Sequence, residues 1–583
     1  MANVALAGTG GRLVASAGLT LKLVALGLFL VLIAAPLATI TLATLQPDSI
    51  VAWGVVTVGR LSTNLFWRPL SNTLIIGFGV ASGCVLIGGF LAWLVTMTDV
   101  PLRRTIGVMA TLPFMIPSFA IALAWGSLFR NGRVGGQTGF LQGLGLDVPD
   151  WLSWGLAPTL IVLTLHYYSL AFTVIAAALA TVNSDLVEAA QMTGASRRRI
   201  LLGIILPVAL PAVVAAASLT FAGAVSNFAA PALLGLPVRM QTLATRLFGM
   251  IEIGQTARGY VIAILLIVVS ATFLWIGNRV ISGRRSFATI TGKGGRAKRF
   301  GLGAARWPFF AAAIAICVLT TIVPVIVLVA SSLAPSSSAL FSDWSLHYWT
   351  GISTPSIAQG QAGIWHNPAI LSAIAVTIGL GVVVAFTGSA LGLLVAYALA
   401  RHRQGALSAL INQLSFLPLL VPGIAFGAAY IALFGAPIGP FPALYGTFAL
   451  LVLAGTAYLV PFAVQTGRAV MQQVSGDLDE SARLTGGRVL PAARRDHDPP
   501  GRPRLVRRCS ADLREDHPRP VPRRPAVHAS EPSAERARLS LRLGGLHPVR
   551  QRHHCGDPGH LDPGDARGQQ GAGQNAALAQ GLT

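Results

Sequence analysis

Charged residues are scarce in this chain of 583 residues, where they make up only 11% of the sequence. A soluble protein of this length needs far more charged surface, so the composition excludes a water-exposed globular fold for most of the chain. The stretch Ile370–Ala400 has no charged residue, and Leu19–Ala43 has only Lys22. Apolar stretches of about 18 residues or more can cross a bilayer as helices. The sequence therefore predicts an integral membrane protein surrounded by a lipid bilayer.

Ten stretches of this kind predict an all-α polytopic membrane protein. Helices are expected because a segment in lipid must satisfy its backbone polar groups internally. The predicted spans are Leu19–Ala43, Asn72–Thr96, Thr105–Phe129, Leu156–Thr181, Ile200–Leu234, Gly259–Ser282, Trp307–Ser332, Ile370–Ala400, Ala406–Phe434 and Ala443–Val470.

The basic loops predict an orientation for these spans. Short loops rich in Lys and Arg stay on the cytoplasmic side of a membrane. If the N-terminus is cytoplasmic, the clusters Arg103–Arg104, Arg197–Arg199 and Arg401–Arg403 all fall on that side. We therefore expect a multi-pass protein of the bacterial cytoplasmic (inner) membrane, with a cytoplasmic N-terminus and no cleavable signal peptide.

Motifs for catalysis and metal binding are missing as well. The four cysteines have neither metal-binding nor disulfide spacing, and the spans hold no cluster of carboxylates or histidines. The sequence has no phosphate-binding loop and no glycine-rich dinucleotide fingerprint after a strand. We expect no catalytic residue, no metal site, no cofactor and no enzymatic activity. The net charge of +22 lies beside span ends and in the C-terminal part, so we expect no nucleic-acid partner.

The chain contains an internal repeat. Leu112–Pro117 (LPFMIP) matches Leu417–Pro422 (LPLLVP), and Asp185–Gly194 (DLVEAAQMTG) matches Asp477–Gly486 (DLDESARLTG) at six of ten positions. Both pairs occur in the same order and at the same place in the span count. We therefore expect two tandem parallel-repeat transmembrane helix bundles, related by an axis along the membrane normal that leaves a path between them.

The second matched pair carries the candidate site. In its first copy, Asp185 and Glu188 lie near the start of a short cytoplasmic helix, where the helix dipole favours acidic side chains. Ala189 and Ala190 keep one face of this helix small, and Gly194 ends it, so that another protein can approach closely. A solvated connector between two spans is the alternative interpretation.

Glu188-Ala189-Ala190, followed by Gly194 and by Leu206-Pro207, resembles the EAA loop of permeases from binding-protein-dependent ABC importers. The resemblance covers about Leu19 to Gly487. It implies a type I importer fold, a coupling helix seated on a cytoplasmic ABC ATPase dimer, and a periplasmic or extracytoplasmic solute-binding protein that delivers the substrate. The ATPase-coupling residues that it implies are Glu188, Ala189, Ala190, Gly194, Glu480, Ser481, Ala482 and Gly486.

The substrate is less closely defined. Ser226–Gly235 and Leu243–Arg246, in a chain with two halves, are similar to fused ferric-iron permeases, which implies iron uptake. Relatives for thiamine, polyamines, sulfate or phosphonate stay open. An ion-driven secondary transporter is another alternative, but such proteins bury ionisable residues at mid-membrane, and these spans have few. We interpret His166-Tyr167-Tyr168 as part of an interfacial aromatic belt, and no substrate-binding residue is predicted.

Whole residue types are missing after Gly487. Val489–Thr583 has no Phe, Trp, Tyr, Ile, Met or Lys, but it has 16 Arg, 12 Pro and 7 His. Out-of-frame codons of a GC-rich gene give this composition, so we hypothesise a shift of the reading frame near Gly487. A genuine basic tail for anionic lipid or nucleic acid is the alternative. We do not interpret His553-His554-Cys555 as a metal site.

The sequence thus divides into four predicted parts. Residues 1–283 form a first permease module with about six spans, and 284–306 form a basic cytoplasmic linker. Residues 307–488 form a second module with about four spans, and 489–583 form a tail without stable structure. Because ten of an expected twelve spans are present, the chain is not expected to transport unless the frame is restored.

Overall fold

The computed structural model describes residues 19–182, 184–282, 300–334, 344–355, 360–401 and 405–473. These ranges are mostly helical and contain no β-strand beyond two isolated bridges. Within these ranges, eight helices are long and apolar enough to cross a membrane, and two bent helix pairs bring the number of candidate spans to ten. The prediction of an all-α polytopic membrane protein is confirmed.

The main helices are labelled in chain order. In the first repeat (19–282) they are α1 (Leu19–Ala43), α2 (Thr63–Met97), α3 (Arg103–Phe114), α4 (Ser118–Phe129), α5 (Leu156–Leu179), α6 (Ser184–Met192), α7 (Arg198–Ser226), α8 (Leu243–Glu252) and α9 (Thr256–Ser282). In the second repeat (300–473) they are α10 (Gly303–Leu333), α11 (Pro368–Arg401), α12 (Ala406–Leu420), α13 (Gly423–Phe434) and α14 (Phe448–Gln473). Shorter helices include Pro47–Thr57 and Ala229–Leu234.

The repeated Leu-Pro-x-x-x-Pro string bends the third span of each repeat. The angle between α3 and α4 is 93°, and the angle between α12 and α13 is 110°. Proline has no backbone N–H, and its ring clashes with the carbonyl four residues earlier, so a helix is interrupted there. Pro117 and Pro422 have ψ angles of 139° and 137°, outside the helical range, and a new helix begins directly after each.

Four other prolines widen a helix without breaking it. They are Pro36, Pro69, Pro207 and Pro324. A five-residue π-helical turn ends two residues before each of them. The wider turn accommodates a residue that cannot donate the usual hydrogen bond to the carbonyl four positions earlier. The turns before Pro36 and Pro324 lie in α1 and α10, the first helix of each repeat. The two repeats therefore share a π-helical turn at this place.

Each repeat is built on one closely packed helix pair. Helix α2 packs along α5, and α11 packs along α14. A Cβ added to Gly88 of α2 would lie 2.7 Å from the backbone nitrogen of Phe172, and one added to Gly392 of α11 would lie 2.7 Å from the carbonyl carbon of Ala463. Glycine is therefore needed at both crossings, as is common where membrane helices approach closely.

The two repeats exchange their first helices. Helix α1 packs against α13 of the second repeat, where the Tyr430 hydroxyl donates a hydrogen bond of 2.5 Å to the Leu32 carbonyl. Helix α10 packs against α4 of the first repeat, and the hydroxyl groups of Tyr168 and Thr320 lie 2.9 Å apart. Each bundle is thus completed by a helix from the other half of the sequence.

Candidate functional site

The segment predicted as the site forms helix α6, which links α5 to α7. It ends at Gly194, whose φ is +78°. The Gly194 N–H donates to the Gln191 carbonyl at 3.0 Å, and the Ala195 N–H donates to the Ala190 carbonyl at 3.0 Å. A left-handed residue that closes a helix in this way is usually glycine, because glycine has no Cβ to clash. The helix therefore ends where the sequence predicts.

Ser196 begins the next helix two residues after Gly194. Its side-chain oxygen accepts a hydrogen bond of 3.4 Å from the Arg199 N–H, and its carbonyl accepts one of 3.0 Å from the Ile200 N–H. Serine is a preferred residue at a helix start because its side chain can satisfy one of the free N–H groups there. Ile200 is buried, so α6 is joined by a short, hydrogen-bonded link to a span anchored in the apolar core.

The predicted site residues of the first copy lie in two environments. Glu188, Ala189 and Gly194 are exposed, whereas Ala190 is half-buried and packs against the apolar core of the first repeat. Ala190 thus holds α6 to its own bundle, and Ala189 lies on the exposed side. The residues predicted for the second copy lie outside the described residues; they are Glu480, Ser481, Ala482 and Gly486.

Met192 belongs to the exposed face of α6 and was not predicted from the sequence. Its side chain is 89% exposed. Residues four apart lie on the same face of a helix, so Met192 and Glu188 are neighbours. The spacing was available in the sequence, but a single methionine in an apolar chain gives no signal of its own. The exposed face therefore combines an acidic, a small and a flexible apolar side chain.

We expect Gly194→Ala to destabilise the end of α6 by about 1–2 kcal/mol, because an L side chain is strained at positive φ. A Cβ at this position meets no atom of the described chain within 4 Å, so the backbone alone carries the cost. Hydrogen–deuterium exchange across 184–195 should become faster. Gly203→Ala in α7 is the matched control, since its added Cβ is equally uncrowded; equal acceleration in both variants would contradict the prediction.

A second polar cluster lies at the end of α7, which is hydrogen-bonded to both helix bends. The Asn227 amide donates hydrogen bonds to the hydroxyl oxygens of Ser118, at 2.9 Å, and Tyr167, at 3.3 Å. The Ser226 hydroxyl oxygen accepts one of 2.7 Å from the Gly423 N–H. These five residues are termed the junction cluster. Ser118 and Gly423 are the first residues of α4 and α13. The end of α7 therefore contacts the first residue after each bend.

The interpretation of His166-Tyr167-Tyr168 as an interfacial belt is wrong. His166 and Tyr168 are buried, and each of the three residues has a hydrogen-bonding partner within the bundle. The His166 Nδ1 lies 3.2 Å from the carbonyl oxygen of Pro113. In an uninterrupted helix this carbonyl would accept from residue 117, which is a proline without an N–H. His166 therefore takes the place of the missing donor at the bend.

We expect His166→Phe to lower the free energy of unfolding by about 1–3 kcal/mol, because it leaves the Pro113 carbonyl buried without a donor. A thermal melt of the purified protein in detergent measures the change. His366→Phe makes the same replacement at an exposed position and should have little effect. An unchanged melting temperature for His166→Phe would show that another group satisfies the carbonyl.

Comparison with known proteins shows a family similarity within the first repeat. Residues 84–287 match the family described as binding-protein-dependent transport system inner membrane component. The matched part contains α6 and, apart from Gly423, the whole junction cluster. Both candidate sites therefore lie in the part of the chain that is similar to this family.

Individual relatives are permease proteins with more than one kind of substrate in their names. The ferric transport system permease protein FbpB of Actinobacillus pleuropneumoniae is 25% identical over 445 residues, which cover 73% of this chain and 59% of the relative. This chain thus spans less than two thirds of that relative. The sulfate transport system permease protein CysT of Salmonella typhimurium is 26% identical over 232 residues, which cover 38% of this chain and 80% of the relative.

One similar solved structure is the MetNI methionine ABC transporter in inward-facing conformations. Its similarity to this chain has a TM-score of 0.30 at 24% sequence identity. The aligned part covers 38% of this chain and 95% of the solved chain.

Proposed function

We propose that the chain forms the translocation path of an ATP-driven importer and docks on a cytoplasmic ABC ATPase dimer through α6 and its repeat copy. The observation that carries this proposal is the exposed face of α6. Glu188, Ala189 and Met192 lie on that face, while Ala190 holds the helix to the bundle. A short helix with an apolar and a charged side chain on one exposed face suits a groove in a partner protein.

The connection from α6 to α7 supports a route for coupling. Helix α7 starts at the hydrogen-bonded link after Gly194 and ends at Ser226, in the junction cluster. A displacement of α6 would therefore be transmitted through α7 to the residues that directly follow the two helix bends. Packed helices that can adopt two arrangements carry such displacements between distant sites. We propose that ATP binding and hydrolysis in the partner alter the junction cluster and so open the path to alternate sides.

Co-purification tests the docking part of the proposal. A tagged chain, extracted from the membranes of its own host, should retain an ABC ATPase subunit. Met192→Glu should reduce the retained ATPase, because it places a carboxylate where an apolar side chain is expected to enter the groove. Uptake that runs on an ion gradient, without any ATPase, would instead indicate a secondary transporter.

Ferric iron is the first substrate to test, because two of the relatives aligned over more than 70% of this chain are named as ferric transport system permeases. In the proposal, a periplasmic or extracytoplasmic solute-binding protein selects the substrate and delivers it to the permease. Sulfate, phosphonate, thiamine and polyamines are the competing substrates. Uptake of radioactive ferric iron by cells that carry or lack the gene distinguishes them, and competition by one of the other compounds would reassign the substrate.

We also propose that the reading frame shifts near Gly487. Asp185 and Asp477 are 292 residues apart, so 498–518 correspond in sequence to 206–226 of α7. Those 21 residues contain nine charged ones. Each charged side chain at the centre of a bilayer costs about 2.5–3.5 kcal/mol even on the mildest scales. Sequencing the coding DNA tests the proposal, which fails if no other frame encodes apolar spans after this point.

A further inference from the structure

Within the described residues, the second repeat has an open groove where the first repeat has a packed helix. Helix α7 packs against both α2 and α5. Within the described residues, no helix packs in the corresponding place against α11 and α14. Only 6% of the most apolar stretch of α11 is buried, against 39% for α2. The groove holds a cavity of about 590 Å³, and its lining includes Gly381, Ala385, Gly388, Leu459, Ala463 and Gly467.

Equivalent glycines show the difference between the repeats. Gly88 and Gly392 make the same close crossing within their helix pairs, and Gly77 and Gly381 lie eleven residues before them. Eleven residues are about three helical turns, so each earlier glycine lies on the same face as the later one. A Cβ on Gly77 would lie 2.6 Å from the ring of Phe221 in α7, whereas one on Gly381 would meet no described atom within 4 Å.

A second pair of equivalent residues agrees. Tyr167 of α5 closely contacts Gly223 of α7, since a Cβ on that glycine would lie 2.8 Å from the tyrosine ring. The residue 292 positions later is Leu459, which lines the open groove and is 45% exposed. The surface that receives α7 in the first repeat is therefore present in the second repeat, and none of the described helices covers it.

The lining indicates what would fill the groove. Glycine and alanine recur along both walls, and the lining has no charged side chain. In lipid, where apolar surface alone gives little driving force, helices associate through close packing over small residues. The matching occupant is a transmembrane helix that has a bulky side chain opposite Gly381, as Phe221 lies opposite Gly77, and a small residue opposite Leu459.

We infer that an apolar transmembrane helix similar to α7 packs in the groove between α11 and α14. The DNA after the Gly487 codon encodes this helix in another reading frame. The inference rests on the proposed frame shift, but it is independent of ATPase docking and of the substrate. By composition, residues 498–518 of the present chain are not expected to supply this helix, because nine charged side chains disfavour an apolar groove in lipid.

Disulfide trapping tests the inference. The frame is restored by a single-base insertion or deletion at the Gly487 codon, and all other cysteines are replaced by alanine. A disulfide is expected between Gly381→Cys and a cysteine at the position that corresponds to Phe221. The pair Gly77→Cys and Phe221→Cys is the positive control, and Phe386→Cys, at a side chain 74% exposed on α11, is the matched negative control. The product should migrate as a monomer.

Three outcomes would overturn the inference. They are a missing disulfide at Gly381→Cys in a protein that forms the Gly77→Cys control, a disulfide that joins two chains, and a gene without an apolar span in either other frame. A disulfide without transport would leave the groove assignment intact and would count against the proposed importer function, so the two failures are distinguishable.

Replacing each of the two equivalent glycines, Gly77 and Gly381, by a larger residue tests the inference independently. In the present chain, Gly77→Leu should lower the melting temperature, because its side chain meets Phe221, whereas Gly381→Leu should leave it unchanged. In the frame-restored chain both variants should be destabilised. Destabilisation by Gly381→Leu in the present chain, diluted to one copy per nanodisc, would show that the groove is already filled and would overturn the inference.

Discussion

Restoring the reading frame after Gly487 is expected to convert a chain that does not transport into one that does. The reason lies in the junction cluster. Helix α7 supplies Ser226 and Asn227, which bond to the starts of α4 and α13. Its counterpart in the second repeat would come from 498–518, whose charge density excludes a span. With one wall missing, the proposed path between the repeats would open towards lipid on one side.

The measurement is ATP-dependent uptake by cells that lack the chromosomal gene. The present sequence should give background uptake, and the frame-restored gene should give uptake that stops when ATP is depleted. A three-base insertion at the same codon is the matched control, because it disturbs the same position but keeps the tail. Uptake by a reconstituted complex that contains the present sequence would refute the prediction.

The bends show how far proline patterns can be interpreted from sequence alone. When two prolines are four residues apart, the carbonyl of the first lacks its usual helical donor, because the second has no N–H. An irregularity at Pro113 and Pro117 therefore follows from local chemistry. The hydropathy of Thr105–Phe129 nevertheless predicts one continuous span, whereas the structure has a 93° bend there. The partner of the freed carbonyl, His166, lies 53 residues away, and only tertiary packing brings it there.

The candidate site was partly predictable for the same reason. The end of α6 at Gly194 depends on local backbone preferences, which the sequence displays. The separate environments of Ala189 and Ala190 depend on how α6 rotates against the core of the first repeat, which hydropathy does not encode. The exchange of α1 and α10 between repeats was equally inaccessible, since an apolar stretch indicates that a helix spans the membrane but not which neighbours it has.

Glu188→Lys is expected to uncouple ATP hydrolysis from uptake in the frame-restored protein. Glu188 is exposed on the face of α6 that we propose to dock on the ATPase. Reversing its charge places a cation against a surface that accommodates a carboxylate. A hot-spot residue at the centre of an interface costs about 2 kcal/mol or more when it is changed, which corresponds to roughly thirtyfold weaker binding. Uptake should fall by a similar factor, while the ATPase continues to hydrolyse ATP at its unstimulated rate.

Glu252→Lys is the matched control for this charge reversal. Glu252 is also exposed, but it lies in α8, which follows the opposite end of α7 from α6. A lysine at the C-terminal end of a helix is favoured by the helix dipole, so the control should fold normally. Because the ATPase is proposed to bind at α6, only Glu188→Lys should lose both uptake and ATPase retention on purification. Unchanged uptake, or equal losses in the two variants, would remove Glu188 from the docking surface and leave α6 a solvated connector between two spans.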